Sequence, residues 1–207
     1  MSFRMQPKII ATVALLLGLR ITASAAEGVD SYAEPSPRYL RQFVVEDAKM
    51  FVLERFDADG NLAARTVERL TSDAIIDGPI ERGLAGWRIR LRGLSPCPTD
   101  RVVYKRMQVW RCADATQDYA GAIYNRRASV VLCKTLVLEE DRDQALTASC
   151  FLMVGGEGEP LRTVYDDDSM VFLGLAAIGR TLDGRSRRPD LEASQALSRS
   201  MGFQNAD

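Results

Sequence analysis

Apolar and charged residues alternate along Trp87-Arg-Ile-Arg-Leu-Arg92, which predicts a β-strand that buries Trp87, Ile89 and Leu91 on one face. Residues 101–112, 129–139 and 145–154 are also rich in strand-forming side chains. Loops of proline or charged residues separate these segments. The pattern therefore predicts an antiparallel β meander of about four strands over residues 86–154, packed with flanking helices, as the centre of an α+β fold.

The segments on either side of this sheet carry less decisive patterns. Residues 38–56 have apolar positions that fit a helical face and also short runs that favour a strand, so both alternatives stay open. Three aspartates from Asp166 favour a helix start, and the apolar run from Met170 to Ile178 predicts a buried segment. We therefore predict one α+β domain over residues 27–182 and a polar tail over 183–207 with a short helix from Pro189.

Residues 1–26 have the three parts of a cleavable secretory signal peptide. Arg4 and Lys8 precede an apolar run over residues 9–19, which is shorter than the about 20 residues needed to span a bilayer. Small residues follow, so cleavage is expected after Ala25 or Ala26. We expect an exported, soluble protein, periplasmic or secreted, with no stable membrane anchor after cleavage.

The charge of the chain argues against nucleic acid as a partner. The sequence has 27 basic and 28 acidic residues, and three of the basic ones lie in the signal peptide, so the remainder is mildly acidic, with a net charge of −4. Nucleic-acid-binding domains usually carry a strongly basic face. The basic run from Arg185 to Arg188 is therefore interpreted as solvated surface.

The four cysteines predict a disulfide-stabilised fold. An even number of cysteines in an exported domain usually forms disulfide bonds. Zinc sites normally need closely spaced cysteines or histidines, whereas this chain has no histidine and its cysteines are at least fifteen residues apart. The candidates are Cys97, Cys112, Cys133 and Cys150.

A two-residue hairpin turn at Asp141 and Arg142 would pair residues whose numbers sum to 283, as those of Cys133 and Cys150 do. Directly opposite residues have Cβ atoms about 4.5–5.5 Å apart, which suits a disulfide. Cys97 and Cys112 are harder to pair, because a continuous strand over 101–112 would span about 36–40 Å. Either that strand is broken, or the 133–150 pairing is wrong, or Cys97 is not bridged.

The segment from Asp57 to Glu68 resembles an EF-hand calcium loop over twelve residues. Its oxygen-bearing side chains at positions 1, 3, 5 and 12 are Asp57, Asp59, Asn61 and Glu68. The segment departs from the pattern at position six, where Leu62 replaces the glycine of the sharp turn. The competing interpretation is a tight turn that uses Gly60 or Asn61 in a left-handed conformation.

Catalysis has few candidate residues here. Without histidine, a Ser-His-Asp or Cys-His arrangement is impossible. The aspartates at 166–168 could act as acids or bases, in which case a cleft should hold two acids, one with a raised pKa. We expect an exported, non-enzymatic binding protein without a cofactor, whose partner is an unknown protein or envelope component. The alternatives are a calcium-stabilised domain and a carboxylate-based hydrolase.

Overall fold

The computed structural model describes residues 32–137, 145–155 and 158–203. The predicted signal peptide and the turn at Asp141 and Arg142 lie outside these residues. The described chain is mixed α+β, with one large sheet, two small two-stranded sheets and short helices.

The central sheet has eight strands and is partly parallel. Along one path its strands follow the order β2-β1-β9-β10-β5-β4-β3, and β11 also pairs with β10. These strands are β1 (Met50–Phe56), β2 (Leu62–Arg69), β3 (Ile75–Ile76), β4 (Glu81–Leu84), β5 (Trp87–Leu91), β9 (Ala128–Leu136), β10 (Leu146–Val154) and β11 (Arg162–Tyr165).

The expected antiparallel meander of about four strands is therefore wrong in size and in pairing. Of the four strands expected over residues 86–154, only the two that correspond to β9 and β10 pair with each other as an antiparallel neighbour pair. The outer neighbours of this hairpin, β1 and β5, both run parallel to the strand that they contact. Parallel pairing needs a long crossover, and in this chain helical residues connect the segments over 101–112 and 129–139.

Those helical residues form α2 (Cys112–Thr116), which continues directly into a π-helix (Gln117–Arg127). The side-chain amide of Asn125 in the π-helix accepts from the Ala74 N–H (2.7 Å) and donates to the Ala74 carbonyl (3.2 Å). It thereby copies the hydrogen bonding of a neighbouring strand. This contact holds the helix against the segment that leads into β3.

The β9–β10 hairpin places Cys133 directly opposite Cys150, and the two are disulfide-bonded. This is the predicted register, in which the numbers of paired residues sum to 283. The bridge joins the two central strands of the sheet in the middle of the protein, where both cysteines are fully buried.

The second disulfide joins Cys97 and Cys112. The expected continuous strand over 101–112 is broken into β7 (Arg101–Tyr104) and β8 (Gln108–Arg111), an antiparallel hairpin outside the main sheet. Arg106 and Met107 make the turn with positive φ angles of 61° and 59°. Because the segment folds back on itself, Cys97 can reach Cys112. The turn has none of the glycine, asparagine or proline that usually marks such a reversal.

Residues 38–56 contain both of the structures that the sequence left open. Helix α1 (Pro37–Arg41) begins after Ser36, whose hydroxyl accepts from the Tyr39 N–H (3.2 Å), and β1 begins at Met50. Leu40 on α1 packs into a small apolar cluster on one face of the sheet, with Val52, Phe151 and Met153. The larger core lies on the other face and includes Cys150, Leu152 and Val154.

The chain after β11 forms α3 (Asp166–Phe172), turns, and continues as β12 (Ala176–Ile178), which pairs with β6 (Leu94–Pro96). The apolar run over 170–178 is thus a helix end followed by a strand. A 3₁₀ turn (Pro189–Leu191) and α4 (Glu192–Ser200) follow. Within the described residues, none of the helices has the length and apolar character needed to cross a bilayer.

Candidate functional site

Strand β10 changes its neighbour halfway along one edge. Leu146 to Ala148 pair with β5, whereas Phe151 to Val154 pair with β11. Ser149 and Cys150 lie between these two pairings. A buried backbone N–H without a partner is costly, so this gap requires a donor and acceptor set from elsewhere in the chain.

Asp167 on α3 supplies the acceptor. Its Oδ1 accepts from the Cys150 N–H (3.3 Å), and its Oδ2 accepts from the Ser149 hydroxyl (2.9 Å). Because β11 ends at Tyr165 and α3 follows at once, the first turn of the helix lies beside the gap. The aspartate therefore continues the hydrogen bonding of the sheet edge.

Arg188 fills the rest of the gap from the C-terminal part of the chain. One terminal nitrogen donates to Asp167 Oδ2 (2.5 Å) and to the Arg92 carbonyl (2.9 Å) just after β5. The other donates to the Tyr165 hydroxyl and to Asp190 Oδ2 (2.7 Å), and Nε donates to Asp190 Oδ1 (2.9 Å). All five guanidinium hydrogens are therefore used, and Arg188 is fully buried.

The interpretation of Arg185 to Arg188 as solvated surface is wrong for its last member. Arg187 is exposed, as expected, but Arg188 has no exposed surface. A run of basic residues does not indicate which member turns inward. That is decided by an acceptor more than twenty residues earlier in the chain, at Asp167.

A second buried pair joins Asp166 to Arg82 on β4 (3.1 Å). Arg82 also donates to the carbonyls of Gly78, Pro79 and Glu81, and the Tyr124 hydroxyl donates to Asp166 Oδ2 (2.8 Å). The pair thus connects β4, the π-helix and α3. Asp166 Oδ1 is buried and accepts no hydrogen bond from any residue that the structure describes.

The third aspartate has a different partner. Asp168 accepts from the Ser194 hydroxyl on α4. Three consecutive residues therefore connect three parts of the fold: Asp166 holds β4 and the π-helix, Asp167 holds the gap on β10, and Asp168 holds the C-terminal helix. Their shared position at a helix start also places all three charges where the helix dipole favours them.

The carboxyl of Asp167 has a raised pKa. Burial raises the pKa to about 6, against the positive charge and hydrogen bonds of Arg188, which lower it. The carboxyl has no exposed surface, however, and both oxygens already accept hydrogen bonds. It therefore has no direct route for proton transfer to a molecule in solution.

An open cleft of about 960 Å³ lies next to this network. β11, the start of α3 and the segment 187–191 form its sides, and Tyr32 to Glu34 line it from the N-terminal part. The side chains that could contact a ligand include Tyr32, Arg92, Arg162, Tyr165, Arg187 and Asp190. Its size is that of a site for a small molecule or a short segment of polymer.

The residues of the predicted calcium loop do not converge. Asp57 Oδ1 accepts from the N–H groups of Asp59 (3.0 Å) and Asn61 (2.8 Å), which closes a tight turn in which Gly60 has a φ of 81°. Glu68 lies near the far end of β2, opposite Phe51. Six residues of extended chain, 62–67, lie between it and Asn61, which places the two about 23 Å apart. In the described residues, no group of three or more acidic or cysteine side chains is placed to hold a metal ion.

Sequence reasoning missed Arg82, Arg92 and Arg188 as site residues. Arg92 continues an alternation with apolar residues that is typical of exposed strand positions, and Arg82 lies between Glu81 and Gly83 in a polar stretch that gives no sign of burial. No pattern of spacing links them to the aspartates at 166–168. Only the buried acceptors around Arg82 and Arg188 distinguish these side chains from other arginines.

Comparison with known proteins does not extend this description. No protein-family model matches the chain, and a search of curated proteins found no match.

Removal of the Arg188 charge should destabilise the protein strongly. Arg188→Met leaves Asp167 buried without its counter-charge, and we expect a loss of about 3–5 kcal/mol in the free energy of unfolding. The matched control is Arg187→Met at the exposed neighbour, which should change that free energy by no more than about 0.5 kcal/mol. Urea denaturation measures both.

Because the charges of Arg188 and Asp167 interact, Arg188→Met combined with Asp167→Asn should reduce the free energy of unfolding by less than the sum of the two single changes. Strict additivity would contradict a direct pair.

The raised pKa of Asp167 predicts a distinct pH dependence of stability. Between the ordinary aspartate value of 3.8 and about 6, the folded protein binds more protons at this position than the unfolded chain. The contribution of Asp167 to the free energy of unfolding is therefore fully present below 3.8 and falls as the pH rises to about 6. Urea denaturation from pH 3.5 to 7, with Asp167→Asn as reference, should show the wild-type advantage decreasing over this window. An advantage that grows with pH would mean that Arg188 outweighs burial.

Proposed function

We propose that this protein is an exported, soluble binding protein that uses the cleft between β11, α3 and the segment 187–191 as its ligand site. The observation that carries the proposal is a cleft of about 960 Å³ whose supporting charges are already neutralised inside the protein. A rigid, satisfied support beneath an open polar surface is what a binding site requires.

The state of Asp166, Asp167 and Asp190 favours binding over hydrolysis. A carboxylate-based hydrolase needs an acid that can reach the substrate and exchange a proton with it. Asp166 and Asp167 are fully buried beneath the surface, and Asp190, which does line the cleft, holds Arg188 through both oxygens. These carboxylates act as anchors for arginine in the folded protein.

Export is supported by the predicted signal peptide and by the two disulfides, because such bonds persist in oxidising compartments. The mature protein recovered from the envelope or medium of its native host should therefore begin at Ala26 or Glu27. Intact-mass spectrometry of the purified protein measures this. Recovery of the protein with Met1 still present, in the cytoplasmic fraction, would contradict export.

Blocking the cleft should abolish ligand recovery. Ala33→Trp places an indole at the cleft wall without removing a hydrogen-bonding side chain, and Pro189→Trp does so from the opposite segment. The control is Ala113→Trp, at an exposed position on α2 away from the cleft. Each protein would be purified from its native envelope or medium, and bound molecules identified by native mass spectrometry. We expect a ligand with the wild type and with Ala113→Trp, and none with either cleft variant. Equal recovery from all four proteins would refute the cleft as the site.

A further inference from the structure

The arginines around the cleft fall into two groups with different surroundings. Arg188 is buried and fully hydrogen-bonded, whereas Arg92, Arg162 and Arg187 line the cleft and form no ion pair with any described residue. Arg162 and Arg187 are exposed and Arg92 is half-buried. Three cations that form no ion pair with a described residue thus share the wall of one cavity.

Most of the acidic side chains in the cleft already have partners other than these three arginines. Asp190 is committed to Arg188, whose hydrogen bonds lower the pKa of the Asp190 carboxyl in spite of its partial burial. Asp168 is hydrogen-bonded to Ser194 on α4. Glu34 remains as an exposed acid at the rim. The groups still available to a ligand are therefore mostly guanidinium donors.

Arg92 is held in a position from which it can bind a ligand. Its guanidinium carbon lies 4.0 Å from the centre of the Tyr32 ring, a stacked arrangement that leaves the hydrogens in the guanidinium plane free to donate. Its Nε is buried and makes no hydrogen bond to any residue that the structure describes, and the same holds for the buried hydroxyl oxygen of Thr163, which also lines the cleft. Leaving such groups unsatisfied is costly, so a small shift that brings them to a ligand oxygen would lower the free energy of the complex.

Close backbone packing brings Arg187 beside Arg92. The Gly179 N–H donates to the Gly93 carbonyl (2.8 Å), and the Arg187 N–H donates to the Gly179 carbonyl (2.9 Å). A methyl group on Gly93 would lie 2.8 Å from Arg188 Cγ and 3.3 Å from Arg187 Cβ. Only glycine at position 93 allows the segment that carries Arg187 to approach the residue that follows Arg92.

We infer that the cleft binds a small ligand that carries oxyanion groups, namely carboxylate, sulfate or phosphate, through Arg92, Arg162 and Arg187. This inference rests on the proposed binding function and adds the chemical class of the ligand. Guanidinium groups match planar carboxylates and tetrahedral anions through paired N–H donors. Thr163 and Tyr165 lie on the same wall.

The test is calorimetric titration of the mature wild-type protein at low salt with four probes. Trigalacturonate represents carboxylates, inorganic phosphate and inorganic sulfate represent the other two anions, and maltotriose is the neutral counterpart of trigalacturonate. We expect at least one anion to bind and maltotriose not to bind. The probe that binds distinguishes the three sources of the oxyanion. Raising the NaCl concentration should weaken the interaction.

Substitutions assign the binding to the cleft. Arg92→Met, Arg162→Met and Arg187→Met should each weaken the bound anion about tenfold or more, because each removes a charge-assisted hydrogen bond. Arg38→Met, at an exposed position on α1 outside the cleft, should leave the affinity unchanged. Circular dichroism and the urea midpoint verify that each variant folds.

Two results would overturn this inference. One is the absence of binding by all three anions at millimolar concentration, and the other is anion binding that none of the three cleft substitutions weakens. A neutral ligand recovered with the wild type and lost with Ala33→Trp would refute the oxyanion preference while supporting the proposed binding function. If the binding function and the oxyanion preference are both wrong, wild type and Ala33→Trp should give equal ligand recovery and no anion should bind.

Discussion

The buried pair of Arg188 and Asp167 allows one sheet edge to serve two partners. Strand β10 pairs with β5 at one end and with β11 at the other, and the polar groups between these pairings need partners in a water-free interior. Asp167 accepts from the strand, and Arg188 donates to the backbone that leaves β5. Because a buried charge is costly when alone, each of these residues is tolerated only with the other in place. The C-terminal part of the chain is thereby tied to the central sheet.

The same arrangement produces the cleft. Arg188 draws its segment towards the sheet, and the close contact at Gly93 permits that approach. Its neighbour Arg187 then faces outward near Arg92. Tyr165 forms part of the cleft wall, and its hydroxyl accepts a hydrogen bond from Arg188. The interaction that completes the sheet edge therefore also positions the polar surface to which we assign ligand binding.

The features that could be predicted from the sequence depend on local spacing. Alternation at Trp87 to Leu91 located β5, and strand-rich segments around a short polar loop placed Cys133 opposite Cys150. The parallel pairings of β1 and β5 could not be predicted, since they join segments far apart in the chain. The hairpin turn at Arg106 and Met107 was missed because neither residue type favours a left-handed backbone. Asp166 and Asp167 were recognised as an unusual group, but their arginine partners were not, because burial of an arginine depends on acceptors that only the folded chain assembles.

The contrast between neighbouring arginines separates structural from ligand-facing charge. Arg188 uses all five of its donors on protein oxygens, so a ligand could reach it only by breaking the support of the sheet edge. The backbone of Arg187 is held by its hydrogen bond to Gly179, and the guanidinium of Arg92 is held by the Tyr32 ring; neither contact uses a guanidinium donor. A side chain that is restrained but not satisfied loses little further freedom on binding and gains a partner for its charge. This difference, more than the number of arginines, is why we propose an oxyanion rather than a neutral ligand for this cleft.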